Sequence, residues 1–507
     1  MDKKNKELQR LWDIYNSLCD QLKLKNHFNN EDGLKEKCKA VRRAFLDATN
    51  FDLKAGDEKY KLTPAMVAST FRSCFHFYLL DKSENVRIAF YNPVEGIYSR
   101  NYRILKRYLG FFEPYLTENQ ANNAIYWLRN FARYRALKEE DNKYIAVGNG
   151  LFNLKTKKLE PFSYSHIILT KVNTNYVEGA KSPNIYGWTV DKMLDRFASG
   201  DQEEVKLFWQ IINEALNGNR TRNKAFFLVG NIRGNNGKGT FQDMVQYLVG
   251  NDNVAHLKVD EFEKRFALQP LDGKTVCIGD DIQNGYIENT SNFNSVVTGD
   301  VVTIEPKMQP VYDTRLHTTI IQSCNTMPTF GKKGGTMRRL VLVPFKANFT
   351  GSNENQDVKN KYLKRQDVRE YILYKALNIP DFNTFIEPAK SKALKQDFEA
   401  TNDSYVAFKT DIFDAGKIDR IPTDVAFNWY KSYCTCNGYE PTKKPREFNR
   451  RMLDTLGNEY RKSKARLSEN EKTKIMTFNR QCKEAGIGHI NIQDPFSKPN
   501  PTCFIKE

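Results

Sequence analysis

The sequence predicts an α/β fold, and three observations predict it. Five apolar residues, Ala225 to Val229, run into a loop crowded with Gly and Asn, then into an amphipathic segment that stops near Gly250. A second apolar run, Thr275 to Ile278, ends in Gly279-Asp280-Asp281. A third, His317 to Ser323, ends at Cys324-Asn325. Apolar strands separated by helical segments read as one buried α/β core.

The first of these stretches, AFFLVGNIRGNNGKGTF, organises the rest. Strand, glycine-rich loop and helix in that order is the geometry that cradles nucleotide phosphates. Glycines let backbone N–H groups converge on anionic oxygens, and the helix N-terminus adds the positive end of its dipole. Gly234, Asn236, Gly237, Lys238, Gly239 and Thr240 are the candidate nucleotide-binding residues. Lys238 is expected to reach the β- and γ-phosphates of ATP and the Thr240 hydroxyl to sit on Mg²⁺. The usual spacing places a glycine five residues before Gly237, where this chain has Ile232; Gly230 and Gly234 are the glycines available. The plainer alternative is a Gly/Asn turn between a strand and a helix.

At 507 residues the chain has room for about three domains. Its net charge of +17, from 78 Lys+Arg against 61 Asp+Glu, points to a polyanionic partner, nucleic acid first. Nine cysteines lack metal-ligand rhythm and read as reduced thiols of a cytoplasmic protein. The N-terminus MDKKNKELQR has no signal-peptide core, and no run approaches 18 apolar residues, so neither secretion nor a membrane span is expected.

In chain order, residues 1–85 read as a charged helical domain, with Leu8, Leu11, Trp12, Ile14, Tyr15 and Leu18 along one face. RIAFYNPVEGIYS reads as two strands around a turn, and helical periodicity follows through YRILKRYLGFF and ENQANNAIYWLRNFARYRAL. YIAVGNGLFNLKTKKLEPF and HIILTKVNTNYV read as a strand-rich patch. The succession NGLFNLKTKKLEPFS…ILTKVNTNYVEGAKSP resembles the accessory domain that precedes the ATPase in the phage and plasmid primase-helicase family, a feature shared with poxvirus primase-helicases. The stretch WTVDKMLDRFASGDQEEVKLFWQIINEALNGNRTRNKAFFLVG is similar to the helical collar leading into that family's phosphate loop.

The remaining motifs fall in the family's order. A hydrophobic strand with acids at its edge, 42 residues beyond Lys238, is what an ATPase needs beside its phosphate-loop strand. The resemblance gives Asp281 the catalytic position, where the family often has Glu, and Asp280 the metal-side position. VVTIEPKMQPVYD reads as a hairpin with a basic tip, suited to a backbone phosphate. It resembles the DNA-tracking hairpin of superfamily-three helicases, which makes Lys307 the main DNA contact, with Met308 and Arg315 as lesser candidates. Asn325 stands where the sensor asparagine of AAA+ ATPases contacts the γ-phosphate. GKKGGTMRRLVLVPF reads as a flexible loop, two arginines and a buried strand. It resembles the family's RR-apolar-PF segment, which implies that Arg339, with Arg338 as understudy, acts in trans as an arginine finger, an effect typically worth about 10³–10⁵ in rate.

After a polar linker and further helices, the last hundred residues read as their own unit. IPTDVAFNWYKSYCTCNGYEP and PREFNRRMLDTLG read as helices, and YRKSKARLSENEKTKIMTF as a hairpin, together suggesting a winged helix. Between Lys443 and Lys483 stand thirteen Lys/Arg against five Asp/Glu. A recognition helix would present Arg446, Arg450 and Arg451, and the wing Arg461, Lys462, Lys464 and Arg466.

The sequence is thus identified as similar to superfamily-three-like AAA+ helicases of the phage/plasmid primase-helicase family, and more narrowly to the Rep or cassette helicases of bacterial genomic islands such as the staphylococcal pathogenicity islands. The expected layout is an N-terminal helical domain (1–85), an accessory domain (86–200), a P-loop AAA+ core (201–395) and a winged helix (396–507). The resemblance implies an ATP- and Mg²⁺-dependent DNA helicase and replication initiator. It would work as a homo-oligomeric ring, a hexamer, on single- and double-stranded DNA with 3′-to-5′ travel. The rivals are an origin-binding initiator whose ATPase only switches assembly, and an AAA+ remodeller acting on protein. A primase role has little support, since no polymerase-type carboxylate cluster stands upstream of Val86.

Overall fold

The computed structural model describes the chain apart from residues 1, 55, 232–233, 284, 308–309, 331–334, 350–354, 438 and 440, and gives the backbone alone at 2, 286 and 400–402. Two compact units result, Met1–Lys392 and Ala393–Glu507.

Helices α1 (Asp2–Lys23), α2 (Glu31–Asn50) and α3 (Pro64–Cys74) open the first unit. Asn30 caps α2 and Thr63 caps α3, each accepting from the N–H three residues on. The face that α1 buries holds Tyr15, Cys19 and Leu22, at i, i+4 and i+7. Ile14, expected on that face, is 44% exposed because it sits a quarter-turn away. Strands β1 (Phe77–Leu79), β2 (Ile88–Asn92), β3 (Ile97–Ser99) and β4 (Arg133–Tyr134) form a sheet in the order β3-β2-β1-β4. Helices α4 (Tyr102–Phe112) and α5 (Glu118–Phe131, opened by a Thr117/Gln120 capping box) cover it. One apolar core runs from Tyr15 and Phe71 through Phe90 to Leu105 and Leu128, so these helices and this sheet fold as one body.

Strands β5 (Tyr144–Val147), β6 (Gly150–Asn153) and β7 (Lys158–Glu160) make an antiparallel meander. The strand expected over HIILTKVNTNYV is instead an irregular strap. Its backbone groups are divided among several partners, so no ladder forms: Tyr98 N–H to Ile168 O at 2.8 Å, Val172 N–H to Ala146 O at 2.9 Å, and Asn173 N–H to Val249 O at 3.0 Å.

Helices α6 (Val190–Phe197) and α7 (Gln202–Ala215) lead into the central sheet. That sheet comprises β8 (Ala225–Val229), β9 (Val254–His256), β10 (Val276–Ile282), β14 (Thr319–Cys324) and β16 (Leu340–Pro344), all parallel, in the order β16-β8-β14-β10-β9. Helices α8 (Lys238–Val249), α9 (Ser291–Thr298), α10 (Gln356–Asn360) and α11 (Gln366–Leu377) surround it, and α12 (Ala389–Asn402) carries the chain across the boundary between the units. Apolar runs with no polar face are what strands buried on both sides require. Phe208, Phe226, Phe241 and Phe345 anchor the core, each stabilising it by about 2 kcal/mol. Two short pairs complete the unit: β11 (Tyr286–Ile287) with β15 (Thr329–Phe330), and β12 (Val301–Ile304) antiparallel to β13 (Tyr312–Arg315).

The second unit contains α13 (Ser404–Phe408), β17 (Arg420–Pro422), α14 (Thr423–Cys436), α15 (Pro445–Leu456), β18 (Tyr460–Lys464), α16 (Glu469–Glu484) and β19 (Thr502–Lys506). Its antiparallel sheet runs β17-β19-β18 around Trp429, Tyr430, Phe448 and Phe504. The hairpin expected over YRKSKARLSENEKTKIMTF is absent. Only its first five residues are strand, and Ser468 and Glu471 form a capping box that starts α16 in place of the return. The partner of β18 is β19, some forty residues later. Among the described residues no helix is long and apolar enough to cross a membrane. All nine cysteines are free thiols, and only Cys436 is exposed.

Candidate functional site

In a parallel sheet, ligands bind outside the carboxyl ends of the strands. Here Val229 on β8 pairs with Cys324 on β14, and Cys324 in turn with Ile282 on β10. That register places the Gly/Asn loop, Asn325 and the Asp280-Asp281 pair side by side along one edge. The sequence separates them by almost a hundred residues; the three-strand register unites them.

The loop enters α8 through Gly237, whose φ of +95° and tight seat exclude any side chain. A Cβ there would lie 2.3 Å from the Phe197 ring. Gly230 has the same role from the other side, since a Cβ would meet Lys238 Nζ at 2.0 Å and Asn236 Oδ1 at 2.6 Å. Gly234 donates to Asn231 O at 3.1 Å. Ile232 lies outside the described residues. The first helical bond of α8 runs from Phe241 N–H to Gly237 O at 2.9 Å. The N–H groups of Lys238, Gly239 and Thr240 precede it and face the loop, as first-turn donors do.

Lys238 sits at the centre. Its ammonium donates to Asn325 Oδ1 at 2.8 Å and Asn236 Oδ1 at 3.2 Å. Burial pulls its pKa below the ordinary lysine value, opposed by the negative charge of Asp280 and Asp281 nearby. Asn236 is itself buried and tied to Ala347 O at 3.2 Å, so the amide that meets the lysine is held. An ammonium held by two neutral amide oxygens can exchange them for the stronger acceptors of an anion, while the two carboxylates nearby suit a cation.

The carboxylates occupy a bulge of β10, between Gly279 and Ile282. Asp281 has φ of +49°, an uncommon conformation of the kind that gathers at functional sites. Ser323 Oγ donates to Asp280 Oδ1 at 2.5 Å, and Asp281 N–H donates to the same oxygen at 3.0 Å. Both donors therefore fall on Oδ1 and neither on Oδ2, an arrangement that fits a carboxylate serving a hydrated cation. Ser323 was not foreseen as a site residue; its place at the end of the strand beside β10 was the available signal.

A cavity of about 540 Å³ opens beside Gly237 and Thr240, lined by Trp188, Met193, Arg196, Phe349, Gln356 and Lys359 among others. It lies within the usual size range of small-ligand pockets, and its mix of apolar wall and few polar groups is typical of them. The Arg196 guanidinium stacks 4.8 Å from the Phe349 ring at its rim. The sequence did not single out these residues, because they come from the collar helix α6 and the turn before it, and from segments over a hundred residues later.

Arg338 and Arg339 are not at this edge. They end a short 3₁₀ turn that feeds β16, and Leu340 pairs with Ala225 at the opposite end of β8. A five-residue strand separates Arg339 from its own loop, roughly 16 Å at 3.3 Å per residue. The guanidinium donates to Gly335 O at 2.6 Å, and burial together with Arg338 lowers its pKa. The Arg338 carbonyl accepts from Lys224 Nζ at 2.7 Å.

The expected hairpin forms from β12 and β13, with Lys307 exposed at its tip. Met308 lies outside the described residues, as do Gly331 to Gly334 of the Gly/Lys loop. Arg315 stands on the return strand and donates to Gly299 O at 3.0 Å. Two residues that meet the tip from an earlier segment were missed. Arg265 forms a forked pair with Glu305, its Nε 3.0 Å from both carboxylate oxygens, and Phe266 lies 5.9 Å beneath the Lys307 ammonium. Phe266 has φ of +66°, a genuine outlier for a bulky side chain. The basic-aromatic pair in EKRFAL was the signal for both.

In the second unit, Arg446 and Arg450 are exposed on α15, and Arg461, Lys462 and Lys464 on the edge strand β18, with Arg466 just beyond it. Arg451 differs. Its guanidinium packs 4.4 Å from the Tyr405 ring and pairs with Asp403 at 3.8 Å, so it is partly committed to the fold. Arg461 meets Glu507 at 3.6 Å.

What fold and site define together is an α/β protein with a strand–glycine-rich loop–helix unit facing a carboxylate pair. Three family models match parts of the chain: "D5 N terminal like" over residues 21–216, "family of unknown function (DUF5906)" over 228–339, and "Poxvirus D5 protein-like" over 400–484. The two D5-type matches thus precede and follow the central sheet in sequence, and the middle match runs from the glycine-rich loop's own strand to Arg339. Among solved structures, the A form apo structure of the NrS-1 C terminal region matches with TM-score 0.48 at 11% identity, covering 88% of this chain and 100% of that one. The apo structure of the same region (305–718) matches with TM-score 0.46 at 12% identity, covering 81% and 98%.

Proposed function

We propose that the chain is an ATP-dependent DNA helicase and replication initiator of a mobile genetic element, of the genomic-island Rep type, built on a P-loop AAA+ core. The observation that carries this reading is the Lys238 ammonium held between Asn236 and Asn325 beside the Asp280-Asp281 bulge. The D5-type matches support a replication-associated enzyme. ATP phosphates would lie on the first-turn N–H groups of α8 and on Lys238, with the nucleoside in the adjoining cavity. Mg²⁺ would be held by Thr240 and Asp280, and when bound it neutralises phosphate charge. Asp281 would orient the attacking water and Asn325 the γ-phosphate.

Arg339 lies too far from its own loop to serve it, which favours supply to a neighbouring subunit's phosphates in a ring, a hexamer in this reading. Lys307 hairpins would then track one DNA strand by its backbone. The order β17, α14, α15, β18, β19, with α16 between the last two strands, supports reading the second unit as a winged helix whose exposed arginines and lysines would bind duplex DNA. A cytoplasmic site of action follows from this function.

ATP turnover with and without single-stranded DNA, beside strand displacement on a forked duplex, tests the proposal. Lys307→Ala should keep much of the turnover and lose displacement. Displacement at the unaltered rate would remove the hairpin from the mechanism. Turnover with no displacement by the unaltered chain would favour an assembly-switching initiator.

A further inference from the structure

The hairpin is gripped at its base as well as its tip. Arg100, in the accessory region just after β3, sends Nη1 to Thr314 Oγ1 at 2.5 Å and Nη2 to Asp272 Oδ1 at 2.6 Å. Thr314 belongs to the hairpin's return strand β13, and Asp272 to the turn that leads into β10. Tyr312, at the start of β13, donates to the other oxygen of Asp272 at 2.7 Å. Behind its ring the Arg87 guanidinium stacks at 4.0 Å, and the same guanidinium lies 5.3 Å from Tyr102. Three parts of the unit, accessory region, hairpin and carboxylate-bearing strand, therefore meet in one network of charge-assisted bonds.

The surroundings show how concentrated this grip is. Cavities of about 680 Å³ and 460 Å³ flank the contact, and Arg100, Leu169, Thr170, Gly273 and Lys274 line both. The side chains of Arg100 and Asp272 are only 17% and 14% exposed in spite of that open space. The network also sits at the amino ends of β10 and β14, where Thr319 N–H donates to Thr275 O at 2.8 Å and Thr318 Oγ1 to Lys274 O at 3.0 Å. The carboxyl ends of those strands carry Asp280, Asp281 and Asn325.

We propose that Arg100 is a positioning residue for the β12–β13 hairpin: it fixes the return strand to the accessory region, which braces the hairpin when the nucleotide site fires. The inference rests on the reading of the hairpin as the DNA-tracking element, but its first readout does not. Amide hydrogen exchange is followed over residues 301–304 and 312–315 and over the central strands 225–229 and 319–324, in the full chain, its Arg100→Ala variant and the near-isosteric Thr314→Val. Exchange in the hairpin should rise by about tenfold or more in Arg100→Ala, and less in Thr314→Val, while the central strands hold their rates. Turnover without DNA should stay within about twofold and base pairs displaced per ATP should fall by about tenfold. Arg100→Lys keeps the charge but not the fork, and should recover only part of that coupling. Unchanged hairpin exchange overturns the proposal. So does exchange that rises equally in the central strands, which would make Arg100 a general fold contact. If the unaltered chain displaces no strand, the helicase reading falls, and the exchange rates still decide whether Arg100 positions the hairpin.

Discussion

Replacing Lys238 with alanine separates chemistry from folding. The ammonium makes two hydrogen bonds, at 2.8 and 3.2 Å, both to neutral amide oxygens, and the Asn236 amide is held independently through its Nδ2 bond to Ala347 O. Burial disfavours its charge, as the lowered pKa records. A base whose pKa is lower in the fold than in the unfolded chain costs stability wherever the pH is below the folded value, and that cost fades as pH rises toward the unfolded one. Removing the side chain at neutral pH should therefore leave the melting temperature unchanged or slightly raised. Catalysis should suffer instead. A preorganised cation aimed at transferring phosphates supplies about 3–4 kcal/mol of transition-state stabilisation, so kcat should fall by about 10²–10³. The assay pairs steady-state ATP turnover with thermal unfolding at increasing ATP·Mg²⁺. Ligand at about a hundred times Kd adds about 2.7 kcal/mol to the unaltered protein, a rise of roughly 3 °C for a unit of this size, which the variant should lose. A variant that melts several degrees lower without nucleotide, or that turns over at the original rate, would refute the assignment of Lys238 to phosphate.

Two other outcomes follow from the same structure. Burial, with Arg315 and Arg100 nearby, pushes the His317 pKa down to about 4. The fold thus accepts only the neutral ring: stability is full above pH 6.5, falls as the unfolded chain takes up its proton, and levels near pH 4 after a loss of about 3 kcal/mol. Urea melts across that range should show the decline, and His317→Gln should flatten it. In the second unit, Arg446→Ala with Arg450→Ala should weaken duplex binding uniformly across sequences and reduce the slope of log affinity against log salt by about 2. An unchanged slope would take α15 out of the DNA contact.

Local pattern carried much of this architecture. The apolar run into GNNGKGT, the strand before Asp280 and the alternation around Glu305-Pro306-Lys307 each reported its own element, because strand burial and turn chemistry are written within ten residues. Where the sequence misled, a nearby signal competed with a stronger one. Alternation in KTKIMTF suggested a strand, yet the Ser468/Glu471 box and a buried Ile475, Asn479 and Cys482 at i, i+4 and i+7 make it a helix. HIILTKVNTNYV has the composition of a strand, but its backbone partners are scattered over several elements. The contacts between Arg100, Asp272, Thr314 and Tyr312 span up to 214 residues and were illegible for a plainer reason. Single surface-type residues carry no periodicity, and only the fold brings them together.

In the proposed ring, neighbouring subunits share one triphosphate site, with Lys238 on one side and Arg339 on the other. The most direct measurement mixes two inactive proteins, Lys238→Ala and Arg339→Ala, in equal amounts under conditions of subunit exchange and reads ATP turnover. Random assembly leaves a quarter of the interfaces with both residues intact, so turnover should recover to roughly a quarter of the unaltered rate. A mixture no more active than its two components would contradict the shared site.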